Sequence, residues 1–483
     1  MQRLERPPFG RARRFVAAAV LLFPSGMLAQ APASAGDTVR LSLDQAVALG
    51  LRQSDEIGLA NAQTDVADAQ YANARASILP QLRLNGAYTH VYESARGNAV
   101  GAVFNQPNTY AASTNLSQTI FQGGRLVSAA RAANDQRQAA RYDETEQRAS
   151  VTMLVQRAYL QSLYAGRIVE LQEGNLTLAT NRLTQIEQLQ RAGQAARYDV
   201  LRARVERSNL EPLAIQARND RELSLLELKR LLNVPIEKPI ALTSQIDTTA
   251  TAAILSAMED TASVADRAAI RSAELNVAAR RLGIAVARAD YYPALSVFFQ
   301  TGYQAFPPIG TGLPSARGAL TAEACPPGSA VGRLCQNGGF FADRQLGVNV
   351  SLPLFDGFRV KSNVDLASAQ ARVAELQLQV QRETVALDVA RARAELRRSR
   401  ASYAARQQNS AEAQEAFQLA SLRFARGLST QLEVSDAQLA LLTAESTEAR
   451  ATYDLFLASA DLARALGRPI PLPSATTTSP TPR

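Results

Sequence analysis

Apolar and polar residues alternate strictly from Gln345 onward: Leu346, Val348, Val350, Leu352 and Leu354 fall on one side, and Gln345, Gly347, Asn349 and Ser351 on the other. Residues 82–92 set Leu82, Leu84, Tyr88 and Tyr92 against Arg83, Asn85 and Thr89. Residues 295–305 set Leu295, Val297, Phe299 and Tyr303 against Ser296, Gln300 and Gln304, and residues 110–121 are a weaker fourth case. Alternation over about ten residues predicts β-strands, and it suits a transmembrane barrel strand and a half-buried soluble strand equally well.

Most of the remaining chain follows a helical period. Residues 122–190 and 356–424 contain no proline, are rich in Ala, Gln, Arg, Glu and Leu, and repeat apolar residues at three and four, as in Val373, Leu376, Val380 and Leu387. A helix of such a run is about 100 Å long at 1.5 Å per residue, and its alanines and apolar seam favour coiled-coil packing. Each run ends near a glycine, Gly193 or Gly427, after which a second helical pattern continues to Pro235 or Pro469. That order predicts a tight reversal and a long helical hairpin. Residues 41–79 and 263–292 are expected to form a leading helix before each strand pair. Leading and returning helices together match the length of a long one, so they are expected to stack end to end beside it.

The pattern occurs twice. Residues 120–125 read against 354–359, Gly193 with Asp199 and Val200 against Gly427 with Glu433 and Val434, and Leu232 with Pro235 against Leu466 with Pro469, each 234 positions apart. Upstream, Arg75, Pro80 and Leu82 match Arg288, Pro293 and Leu295 at an offset of 213, so the second copy carries 234 − 213 = 21 extra residues. That insertion contains Cys325, Pro326, Pro327, Gly328 and Cys335 and reads as a loop. The chain is a tandem of two repeats, 41–235 and 263–469, joined by a linker at 236–262 and followed by a Pro, Ser and Thr-rich tail at 470–483 that is expected to be disordered. Four strands cannot close a barrel, and lipid does not tolerate an open sheet edge, so transmembrane strands here require several copies.

The N-terminus supplies a compartment. Arg3, Arg6, Arg11, Arg13 and Arg14 precede the apolar run of residues 15–23, and small residues follow, which predicts a signal peptide at residues 1–31 with cleavage after Ala31 or Ala35. The 483-residue chain has 52 Lys plus Arg and 44 Asp plus Glu, a formal charge of +8. Removing residues 1–31 takes away five Arg and one Glu and leaves 8 − 4 = +4. The remaining arginines are interspersed with acidic residues, so no nucleic-acid footprint is expected. Export places Cys325 and Cys335 in an oxidising compartment, where a disulfide across the insertion is expected. With one histidine, His90, and two cysteines, neither a metal centre nor a cofactor is expected, and no nucleophile and base constellation points to an enzyme. The Gly123–Gly124 pair lacks the Lys and Ser/Thr of a phosphate loop. Together with Gly357 it is expected to relax a strand-to-helix bend.

The chain resembles the TolC-like family of outer-membrane efflux ducts. The resemblance runs from Leu41 to about Pro469 and rests on Leu43, Asp44, Ala46 and Leu49; on Ala72, Ala74, Arg75 and Pro80; on residues 354–357; and on Arg423, Phe424, Gly427, Leu432, Glu433, Val434, Asp436, Ala437 and Gln438. It implies a mainly α fold with a small transmembrane β part: a homotrimer with a 12-stranded β-barrel continued by a long periplasmic α-helical barrel. It implies an exit duct of a tripartite efflux or type I secretion system in the outer membrane of a Gram-negative bacterium, surrounded by outer-membrane lipid. Its expected partners are a periplasmic adaptor protein and an inner-membrane transporter. An exported coiled-coil protein without a channel is the alternative reading.

The resemblance also implies a gate at the helical reversals, Gly193 and Gly427. Asp199 matches the family's gate aspartate, and Glu433 and Asp436 match its acidic ring. Two carboxylates from each of three chains would attract cations and raise one another's pKa values. Standing three apart at a helix start, Glu433 and Asp436 also suit solvated residues that complement the helix dipole. Where some relatives lock the gate with a tyrosine and an arginine, this chain has Phe424 and Ser429. Arg191, Arg197, Arg423 and Arg426 are then the expected replacement donors, with apolar contact through Phe424 as a second means of closure. Tyr88, Tyr92, Phe298, Phe299 and Tyr303 are candidates for an aromatic belt at the lipid interface, some of them facing the lumen.

Overall fold

Each long helix begins where a strand can go no further. In the computed structural model, which describes residues 39–93, 95, 108–244, 267–305 and 340–467, β2 (Gln81–His90), β3 (Asn108–Gln122), β5 (Ala294–Ala305) and β6 (Phe340–Ser351) form one antiparallel sheet in the order β2-β3-β5-β6. The bend into the first long helix uses Gly123 and Gly124, at φ +56° and +79°; the second uses Gly357 at +67° and, without a glycine, Phe358 at +64°. A Cβ at Gly123 would also lie 2.5 Å from the Ala289 carbonyl oxygen, so glycine there answers both the backbone twist and a close approach.

The register sorts the faces. Leu82, Leu116, Phe299 and Leu346 are cross-strand neighbours on one face, and Arg83, Asn115, Gln300 and Gln345 on the other. On the apolar face Leu84 is 80% exposed and Leu346 77% exposed. A water-soluble sheet would cover such a row. Phe298 lies on the polar face, with its ring over Gly347. The strand expected over 82–92 ends at His90, because Nδ1 of His90 and the Tyr88 hydroxyl both bond Asn108 Oδ1, at 2.7 and 3.0 Å, where the hairpin closes.

The long helices are α3 (Arg125–Arg191) and α6 (Arg359–Ala425), 67 residues each. Beside them lie α2 (Asp55–Ala76) and α5 (Ala268–Arg288), so that α2, α3, α5 and α6 continue the sheet in its own strand order. Ion pairs tie this layer: Asp68 to Arg137, Asp290 to Arg125 at 2.5 Å, Glu274 to Arg382 at 2.8 Å and Glu375 to Arg281 at 2.7 Å. Below, the returning helices α4 (Arg197–Leu231) and α7 (Gln431–Leu466) pack on α3 and α6, and α7 also packs on α3. The ends meet as expected: Asn233, just past α4, donates to the Gln53 carbonyl at 3.3 Å, and Gly467, which ends α7, lies against Arg267, which caps α5.

Two local expectations are corrected. The leading helix over 41–79 is instead α1 (Leu43–Gln53) and α2, divided at Ser54, whose ψ of 134° leaves the helical region; α1 starts on a Ser42–Gln45 capping box. The helix expected over 263–292 is α5, followed by a 3-10 turn at Ala289–Tyr291. The linker at 236–262 contains β4 (Ile240–Leu242), which pairs in parallel with β1 (Val39–Leu41). Fully buried Tyr159 joins them: its hydroxyl donates to the Leu41 carbonyl at 2.9 Å and accepts from the Ser244 amide at 3.1 Å. Around it Val151, Val155, Leu228 and Leu232 belong to the largest buried apolar cluster among the described residues. The signal peptide, Cys325 and Cys335, residues 245–266 and the tail lie outside the described residues.

Candidate functional site at the hairpin tips

Both hairpins reverse by the same local chemistry. Gly193 and Gly427 sit at φ +74°. The Gly193 and Gln194 amides donate to the Gln190 and Leu189 carbonyls at 2.9 and 2.8 Å; those of Gly427 and Leu428 donate to Phe424 and Arg423, both at 2.9 Å. This paired arrangement caps a helix whose next residue is left-handed, which is where glycine costs least.

The returning helices then start on carboxylates. The Asp199 side chain accepts from the Ala196 amide at 3.2 Å, while Glu433 accepts from the Thr430 amide at 3.5 Å and gives its own amide to the Thr430 hydroxyl at 3.4 Å. Both acids therefore serve the first helical turn, where the exposed amides and the helix dipole favour negative charge. Asp436 stands one turn further on, exposed. Arg191, Arg197, Arg423 and Arg426 are exposed around the two tips and Phe424 is half-buried. The first tip is closed by apolar contact among Ile186, Val200, Ala203 and Leu183.

A second set of residues ties the two hairpins together within the chain, and sequence reasoning missed it. Ser435, between Glu433 and Asp436, accepts from Arg182 of α3 at 3.3 Å and donates to Glu206 of α4 at 3.3 Å. Burial pushes the Arg182 pKa down and Glu206 opposes the shift. One turn above, buried Gln438 of α7 bonds buried Asn175 of α3. Further up, Asp461 faces Arg157 at 3.6 Å. The signal was present as polar residues on the otherwise apolar stripe of α7, but their partners lie more than 200 positions away.

Among the described residues no group of His, Cys, Asp and Glu is arranged to hold a metal ion, and no helix is long and apolar enough to cross a membrane. The sheet carries a bare apolar row on one face, with Leu82, Leu84 and Leu346 exposed. Beyond the sheet the molecule offers a helical wall whose hairpin tips carry the carboxylates of Asp199, Glu433 and Asp436 and the guanidinium groups of Arg191, Arg197, Arg423 and Arg426.

A family model described as outer membrane efflux protein matches residues 47–234 and 262–468. The pyoverdine export outer membrane protein OpmQ of Pseudomonas putida is 26% identical over 444 residues, covering 88% of this chain and 85% of that protein. The outer membrane efflux protein BepC of Brucella suis is 23% identical over 463 residues, covering 95% and 91%. In fold the chain is similar to the outer membrane channel CmeC of Campylobacter jejuni, with a TM-score of 0.70 and 19% identity over 88% of this chain and 85% of that one.

Proposed function

Because the chain belongs to the outer membrane efflux protein family, and is an efflux channel of the Gram-negative outer membrane, we propose that three copies close its open wall into a duct. Each copy contributes four strands to a 12-stranded barrel, and the helices continue that barrel into the periplasm. The repeats 41–235 and 263–469 supply its two halves. The observation that carries this reading is the shared order of strands and helices, β2-β3-β5-β6 above α2-α3-α5-α6. It makes one continuous wall, apolar outside at the sheet, with unpaired edges at β2 and β6 that lipid does not tolerate.

In this reading the hairpin tips form the periplasmic entrance. Asp199, Glu433 and Asp436 supply its acidic ring, and Arg191, Arg197, Arg423, Arg426 and Phe424 lie where the tips of neighbouring copies meet. The tips receive a periplasmic adaptor and, through it, an inner-membrane transporter that selects the cargo. Membrane fractionation tests the proposal. The mature chain is expected in the outer membrane as a detergent-stable trimer, and recovery as a soluble periplasmic monomer would contradict it.

A further inference from the structure

We infer that an open cavity on the outer side of α2 and α3, directly beyond the apolar end of the sheet, holds the headgroup of a membrane phospholipid that carries both a phosphate and a primary ammonium. The inference rests on reading the sheet as embedded in lipid, and it adds which lipid the border of the sheet selects.

Two cavities flank the junction of sheet and helices, and the register tells them apart. One, of about 380 Å³, is lined by Gln122, Arg125, Asp290 and Ser351 among others. Gln122, Ala294 and Ser351 are cross-strand neighbours on the polar side of the sheet, so Arg125 faces that side. The other, of about 460 Å³, is lined by Tyr71 and Arg75 of α2 and by Val127, Arg131, Asn134 and Asp135 of α3. At about 100° per residue, Val127, Arg131 and Asn134 stand about 200°, 240° and 180° round α3 from Arg125. The larger cavity therefore opens on the opposite side, next to the exposed apolar residues Leu79, Leu82 and Phe121.

Its height is that of lipid headgroups. Val127 and Asp135 lie about 3 and 15 Å beyond the first residue of α3, and a headgroup layer is roughly 5–7 Å thick. Side chains of a helix tilt toward its N-terminus, which in α3 is the sheet. That tilt carries the Arg131 guanidinium back toward the lipid. Tyr71 is the amphipathic kind of residue that membrane borders favour.

The lining is short of partners. Among the described residues no ion pair or hydrogen bond engages the side chains of Arg75, Arg131 or Asp135. Arg75 lies against the Tyr71 ring at 5.7 Å, and Arg137, which pairs with Asp68, lies against it at 5.2 Å. Burial pushes the Asp135 carboxyl up from its ordinary 3.8, and a cation beside it would offset the lost solvation. Two guanidinium groups suit a phosphodiester, but a bare anion would also stand beside the Asp135 carboxylate. A headgroup with an ammonium answers both charges, giving its phosphate to the arginines and its ammonium to Asp135 and the Asn134 side-chain carbonyl. A quaternary ammonium would compete with two resident cations for the Tyr71 ring, which favours a primary one. The second repeat lacks this set: the equivalents of Tyr71, Arg131 and Asp135 are Ile284, Asp365 and Ala369, and Lys361 replaces Val127.

Lipid binding to the full-length protein, purified from outer membranes and delipidated in detergent, tests the site. Native mass spectrometry counts lipid retained per chain in titrations with phosphatidylethanolamine, phosphatidylglycerol or inorganic phosphate. Phosphatidylethanolamine is expected to bind at least about three-fold more tightly than phosphatidylglycerol, and Arg75→Gln with Arg131→Gln to weaken it at least about ten-fold. Asp135→Asn should bring phosphatidylethanolamine down to the level of phosphatidylglycerol without weakening the latter. Lys361→Gln, at the same height in the second repeat, should change neither. Undiminished binding in the double arginine variant, or an equal loss in Lys361→Gln, would overturn the site. Inorganic phosphate bound as tightly as the lipid would overturn the lipid as its occupant. Either result, in a chain recovered from the outer membrane, leaves the duct standing; failure to recover the unmodified chain there would overturn the duct itself.

Discussion

Asp199 and Glu433, 234 positions apart, place their carboxylates on the same backbone position of equivalent helices, accepting from the amides of Ala196 at 3.2 Å and Thr430 at 3.5 Å. The proposed acidic ring and helix capping therefore fall to the same two residues. Asp436, exposed and one turn along, lies outside the cap.

Replacement of Glu433 and Asp436 separates the two roles. Glu433→Ala should cost about 1 kcal/mol of stability through the lost capping box, and Asp436→Ala almost none. Both should weaken cation selectivity, the double variant by at least about two-fold in permeability ratio. Denaturant unfolding and reversal potentials in single-channel recordings measure the two effects. Unchanged selectivity would reduce both acids to helix starters.

Loss of the Ser435 tie should loosen the entrance. Arg182→Met with Ser435→Ala removes hydrogen bonds worth about 1 kcal/mol each, which favours an open arrangement by about five-fold or more. Open probability in a planar bilayer is expected to rise while the thermal stability of the Tyr159 core is kept. A closed channel with unaltered gating would assign the tie a purely structural part.

Tyr159→Phe should destabilise the equatorial core by about 2 kcal/mol or more, because the Leu41 carbonyl and the Ser244 amide lose their shared hydroxyl in a part-buried place. The measurement is urea unfolding followed by fluorescence of the remaining tyrosines. Conductance of the channel that does assemble should be unchanged.

Acid should weaken the α5–α6 tie. The hydrogen bond from Arg382, aided by Arg271, holds the Glu274 carboxyl below its ordinary value of 4.5. A depressed pKa gives stability that is complete above the unfolded value and lost as pH falls through the folded one. Asp461 has the opposite sign: burial raises its pKa above 3.8 against the pull of Arg157, so its contribution grows as pH falls through the folded value. Glu274→Gln should flatten the loss of stability below about pH 4.5, and Asp461→Asn should steepen it, both measured by thermal melts across pH.

The two 67-residue helices were legible because nothing in 122–190 or 356–424 interrupts the helical period, and the strands because their alternation runs for ten residues or more. The break at Ser54 was not, since Ser54 and Asp55 also suit a continuing exposed helix. At three residues each, β1 and β4 are too short for a period to register. Asp199 and Glu433 were aligned with each other by the repeat and singled out by the family resemblance. The tie through Ser435 was not, because α3 supplies Arg182 from 253 positions away and no periodicity encodes such a pairing. Phe358 shows the limit of the repeat itself: it holds the left-handed position that Gly124 fills in the first half.

Purification from outer membranes followed by reconstitution into a planar bilayer tests the central claim most directly. The account predicts a particle of three chains and discrete, cation-selective conductance steps. A monomeric particle, or a trimer that leaves the bilayer silent even after Glu433, Asp436, Arg182 and Ser435 are replaced to open the entrance, would contradict it.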